Sequence, residues 1–163
     1  LPQTYQKSGA AEMNKQGMVV RRTQSEAERM AEISRQAEQL KIERQQAEQA
    51  RLDRALMATY TTEAEIDLAR DRALEHHKLA IRGAETRAKA VDANLAELRA
   101  RIGAVEKSGR PVSPDLQSQL AQTHKESLEL KRTILNNEEA MMQVREKYES
   151  DKLRFRELSS ASR

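Results

Sequence analysis

Between residues 62 and 108 two interleaved series recur every seven positions: Leu74, Ile81, Ala88, Leu95 and Ile102, and His77, Ala84, Val91, Leu98 and Val105. A largely apolar stripe with a mean period of 3.5 residues stays on one side of a helix only if that helix winds around a partner. The segment is therefore one helix of a left-handed coiled coil. Residues 114–158 carry the matching pair of series: Leu116, Thr123, Leu130, Asn137, Val144, Asp151 and Leu158, interleaved with Leu120, Ser127, Ile134, Met141, Tyr148 and Phe155. Between the two lies Ser108-Gly109-Arg110-Pro111-Val112-Ser113-Pro114-Asp115. Gly109 suits the left-handed position after a helix, Pro111 drives Arg110 out of helical geometry, Ser113 can cap the next helix, and Pro114 suits its first turn. So short a connection makes the two helices antiparallel.

Folding the chain back at 108–114 pairs positions whose numbers add to about 221 or 222. Leu95 then faces Ser127, Ala88 faces Ile134, and Leu74 faces Tyr148, small against large as interdigitation requires. The same register sets His77 opposite Val144, Asn137 opposite Ala84, and Arg70 opposite Asp151. Arg70, Asn137 and Asp151 are the candidate register-setting residues, polar positions in otherwise apolar series. The expected hairpin is about 70 Å long at 1.5 Å per residue. Gly83 and Gly103 fall off the seam, where close approach by another chain would account for them.

Residues 24–58 hold neither Gly nor Pro, and Met30, Ile33, Ala37, Leu40, Arg44 and Ala47 recur at spacings of three and four. This is a helix with a thin stripe, interrupted by Arg44, Arg51 and Arg54. It has no expected partner within the chain, because the register ends near residue 63. Thr62 with Glu65 three residues on fits a capping box that restarts the helix. Residues 1–23 differ in kind, with Pro2, Gly9, Gly17 and the β-prone Met18-Val19-Val20 after a turn at Asn14-Lys15-Gln16-Gly17. They read either as an extended leader or as the last strand of a small β domain. The fold class is thus all-α: a long antiparallel helical hairpin, 59–163, preceded by an extra helix, 24–58, and a short extended N-terminal segment, 1–23.

Composition narrows the function. Only 37% of the residues are hydrophobic and 2% aromatic, against 34% charged, so little is available for a core that could enclose a substrate. Lys7, Lys15, Arg21 and Arg22 stand against Glu12 alone in the first 22 residues, while the remainder balances at 25 of each sign. Interspersed charges make solvated helix faces, and with so few aromatics to stack bases they point away from nucleic acid. There is no cysteine, and no apolar run reaches the ~18 residues of a membrane span. His76 and His77 are adjacent, hence about 100° apart on a helix, and His124 falls about 30 Å further along the rod. Acidic pairs such as Glu63/Glu65 and Glu138/Glu139 lie on solvated faces. No metal, cofactor or enzymatic activity is expected.

Three stretches carry a resemblance. They are the run from Arg54-Ala55-Leu56-Met57-Ala58-Thr59-Tyr60 through Thr61-Thr62-Glu63-Ala64-Glu65 to Leu74, the Gly109-Arg110-Pro111-Val112 turn, and the ending Asp151-Lys152-Leu153-Arg154-Phe155-Arg156-Glu157-Leu158. Together they resemble uncharacterised envelope proteins of Gram-negative bacteria, in which a signal peptide and a small β domain with a Tyr-Arg-Trp type strand precede a long coiled-coil tail. Leu1-Pro2-Gln3-Thr4-Tyr5 and the segment from Asn14 to Val20 are similar to the end of that β domain, although the Tyr-Arg-Trp strand itself is absent. The chain starts at Leu1 rather than Met, which reads as a processed or truncated product.

The resemblance implies a periplasmic or outer-membrane-associated protein with protein partners of the cell envelope. Balanced charge and the seam imply a non-enzymatic scaffold or spacer that docks onto a larger assembly. A holdase-type chaperone with helical-hairpin arms is the alternative, although the tip, residues 107–115, offers only Val112 as an apolar group. Candidate interaction residues are Lys15, Met18, Val19, Arg21 and Arg22 at the basic end and Met30, Ile33 and Leu40 on the uncovered stripe. Through residues 24–58 the chain is also expected to form a homo-oligomer.

Overall fold

The computed structural model describes residues 11–13, 19–22 and 25–163, the first two groups as backbone only. The expected turn at Asn14–Gly17, and the candidates Lys15 and Met18, lie outside the described residues. Two compact units divide the chain, Leu1–Ala55 and Leu56–Arg163.

In the first unit, β1 (Ala11–Met13) pairs antiparallel with β2 (Val19–Arg22), with a bulge between Glu12 and Met13. The single strand expected near Val19 therefore has a partner from just upstream. That pairing engages backbone groups that a lone strand would leave open. Helix α1 (Glu26–Thr59) follows. Its start is fixed by a capping box that the sequence reading passed over: the Glu28 amide donates to Ser25 Oγ at 3.2 Å and the Ser25 amide to Glu28 Oε2 at 2.8 Å.

Helix α1 stops at Thr59, and Tyr60, Thr61 and Thr62 are not helical before α2 (Glu63–Lys107) begins. Thr62 caps α2 as expected, its Oγ1 accepting from the Glu65 amide at 3.3 Å. The Glu65 carboxylate reaches back one residue further than a capping box demands, to the Thr61 amide at 2.7 Å. At the far end Ser108 is the C-cap and Gly109 takes φ +74°, the left-handed conformation that costs a side chain about 1–2 kcal/mol. Ser113 Oγ then accepts from the Leu116 amide at 3.2 Å, and Pro114 opens α3 (Pro114–Ala161). Both hairpin helices, of 45 and 48 residues, are about 70 Å long.

Helices α2 and α3 pack along their length as an antiparallel hairpin. All ten seam positions named in α2 and all thirteen in α3 are buried or half-buried, while their neighbours on both sides are mostly exposed. Leu74, Ala84, Val91, Leu95 and Leu98 from α2 and Ser127, Met141 and Phe155 from α3 are the most enclosed. Ile66, 0% exposed, begins the seam one turn inside α2.

The register differs from expectation. Cross-helix hydrogen bonds join Glu63 to Arg156, Asp67 to Lys152 and Asp92 to Ser127, whose numbers add to 219. They also join His77 to Asn137 and Arg87 to Glu126, adding to 214 and 213. No such bond falls at 221 or 222 among the described residues. In an antiparallel coiled coil a seam residue enters the gap between two partners one turn apart, so matching numbers does not identify its neighbour. His77 takes Asn137, which can satisfy a ring nitrogen, in place of the Val144 that matching numbers put opposite it.

Candidate interaction surface

Helix α1 buries none of its residues. Met30 is 62% exposed, Ile33 59% and Leu40 53%, and Leu52 is also exposed. A 34-residue helix with no covered face has only its local interactions to hold it. Those are visible: Glu32 binds Arg35 at 2.8 Å, Gln49 binds Asp53 at 2.8 Å, and Glu48 takes a two-pronged bond from Arg51 at 2.6 and 2.9 Å. The Arg51 guanidinium holds the Glu48 carboxyl below the usual carboxylate range, and in return Glu48 raises Arg51. A depressed carboxylate supports the helix above its unfolded pKa and loses that support as pH falls through the folded value. Both groups are solvated, so the support is small.

Of the basic candidates, Val19, Arg21 and Arg22 lie on β2, where Arg21 stands opposite Glu12 and Arg22 opposite Ala11 in the ladder.

The hairpin carries its polar groups in pairs. His77 Nδ1 lies 2.8 Å from Asn137 Oδ1, and Asn137 Nδ2 donates to the Thr133 carbonyl at 2.8 Å. Because the amide nitrogen is committed to Thr133, Oδ1 is the acceptor and His77 Nδ1 must carry the proton. Asn137 therefore does link the two helices, through His77 rather than opposite Ala84. Ser127, 2% exposed, donates to Asp92 at 2.9 Å. No buried side-chain polar atom among the described residues lacks a partner.

Arg70 and Asp151 do not meet. Arg70 binds Asp67 and Asp71 on its own helix, both at 3.1 Å, and Asp151 binds Lys147 at 3.5 Å. The hydrogen bond to Asp71, foremost, raises the Arg70 pKa. The ion pairs that close the open end are Asp67 with Lys152 at 3.1 Å and Glu63 with Arg156 at 2.6 Å. Each joins a charge next to the seam to one across it, and flanking charges of this kind were legible only as interspersed surface.

An open groove of about 960 Å³ lies beside the seam, lined by Arg70, Asp71, Leu74, Arg145, Glu149 and Leu153 among others. It is a gap between two helix flanks with alternating charges, and it faces solvent. Among the described residues no three His, Asp or Glu side chains gather in a metal-binding arrangement, and no helix is long and apolar enough to cross a membrane. Compared with protein-family models, curated proteins and solved structures, the chain matches none.

Proposed function

We propose that the chain is a non-enzymatic coiled-coil scaffold or spacer, periplasmic or outer-membrane-associated, that docks onto a larger envelope assembly. The observation that carries this reading is the contrast between the helices. The hairpin has spent its apolar stripe on an internal seam, and α1 displays Met30, Ile33 and Leu40 at more than half exposure. A two-helix seam has no interior in which a reacting group could be desolvated. An uncovered stripe on a long helix is a binding face. The basic residues of β2 are a second contact, suited to an acidic partner surface.

Envelope fractionation followed by crosslinking of the native chain tests the reading. Recovery in the periplasmic or outer-membrane fraction, in a complex lost on Ile33→Asp with Leu40→Asp, is the expected result. Recovery in the cytosol would overturn the location. If both variants still enter the complex, and the purified chain suppresses aggregation of unrelated unfolded proteins at stoichiometric ratio, the holdase reading replaces the scaffold.

A further inference from the structure

Two exposed stripes in this chain share one pattern. On α1, Ile33, Leu40, Ala47 and Arg54 lie seven apart, and Arg44 and Arg51 come four residues after Leu40 and Ala47. On α3, Leu128, Leu135, Met142 and Glu149 lie seven apart, and Glu139 and Glu146 come four residues after Leu135 and Met142. Where α1 has Arg44, Arg51 and Arg54, α3 has Glu139, Glu146 and Glu149 at the same places in the pattern. Leu128, Leu135 and Met142 are 52%, 63% and 60% exposed, as open as Ile33 and Leu40 on α1. At 100° per residue their stripe lies about 130° around α3 from the middle of its seam, so it is not an overflow of the hairpin interface.

We propose that α1 of one copy docks parallel along this outer stripe of α3 in a second copy, offset by 95 in residue number. Ile33 then stacks on Leu128, Leu40 on Leu135 and Ala47 on Met142. Arg44 meets Glu139, Arg51 meets Glu146 and Arg54 meets Glu149. The two remaining layers set Met30 on Lys125 and Ala37 on Arg132, where the long side chains lay their aliphatic stems over the partner. Arg44, Arg54, Glu139 and Glu146 make no ion pair among the described residues, so the contact takes nothing from existing pairs there. Arg51 turns from Glu48. Shifting the pairing by one heptad sets Arg54 against Met142 and Arg44 against Arg132 in one direction, or Ala47 against Glu149 and Arg54 against Arg156 in the other, so the charges select one register.

The occupant is a second copy because in the chain itself both stripes stand open, Ile33 and Leu40 on α1 and Leu128, Leu135 and Met142 on α3, with arginine on one matched to glutamate on the other.

This pairing rests on the α1 stripe being a binding face, and it says what covers that face. The chain has no cysteine, so introduced ones report cleanly. Full-length Leu40→Cys and full-length Leu135→Cys are mixed and oxidised. The mixed disulfide should exceed the Leu40→Cys homodimer about tenfold, and moving the second cysteine one heptad, to Leu128→Cys or Met142→Cys, should lower the yield. Arg44→Glu with Arg54→Glu should cut the mixed product about tenfold, and adding Glu139→Arg with Glu149→Arg on the other protein should restore it. A dominant Leu40→Cys homodimer, meaning that α1 pairs with α1, would overturn the proposal. So would closure of a double Leu40→Cys, Leu135→Cys protein within one chain at high dilution, or no mixed product at all. Loss of this disulfide with envelope capture intact would sink the pairing alone, whereas the disulfide without capture would sink the scaffold reading and leave the pairing.

Discussion

At position 77 a histidine occupies a series otherwise filled by Ala84, Val91, Leu98 and Val105, and its one hydrogen bond crosses the hairpin to Asn137. Two polar residues in one seam are legible from the sequence as exceptions to a period. Which of them face each other is not, because facing depends on the phase between two helices, a property of neither alone. Asn137→Leu should destabilise the hairpin by about 1 kcal/mol by stranding the half-buried ring, and His77→Leu added to it should recover most of the loss. Thermal melting of the four proteins of this cycle gives the coupling, expected at about 0.5–1.5 kcal/mol. Strict additivity would mean that the bond does not form. Arg70 and Asp151 are the opposite lesson: matching numbers and opposite charge suggested a pair, and each found a partner one turn away on its own helix. Such local pairs need no second helix to form, and they win for that reason.

Among the elements, the boundaries were readable wherever backbone chemistry is local. Thr62, Ser108-Gly109, Ser113 and Pro114 each act where the residue type alone predicts. The Ser25 cap is equally legible as Ser-x-x-Glu. The pairing of β1 with β2 had no such signal, since Ala11–Met13 carries no β-branched residue. Two glycine substitutions separate the roles of glycine. No atom from elsewhere in the chain lies within 4 Å of a Cβ built at Gly83 or Gly109, so neither position is held open for another part of the same chain. Gly83→Ala, mid-helix, should raise hairpin stability by about 1 kcal/mol. Gly109→Ala should lower it by about 1–2 kcal/mol, because its positive φ remains. Denaturant melts of both variants check the two signs, and equal shifts would contradict the assignment. Removing the α2 cap with Thr62→Ala should cost about 1 kcal/mol and fray only the first turn, visible as faster amide exchange at Glu63–Glu65.

For the whole molecule, the seam, the fold-back and the lone helix followed from the sequence because each is a statement about period and punctuation. The face on α3 that complements α1 did not, since Leu128, Leu135 and Met142 look like ordinary exposed residues until the hairpin has used its seam and left them outside. The central claim is that the hairpin covers its own seam and, as proposed, that the exposed α1 stripe binds another molecule. Sedimentation equilibrium of the full chain, beside its Ile33→Asp, Leu40→Asp variant, tests this most directly. The wild type should sediment above the 18.6 kDa of one chain, and the variant at that mass with the helical signal and hairpin melting unchanged. Both proteins at the mass of one chain, or a variant that loses the hairpin melt together with association, would contradict it.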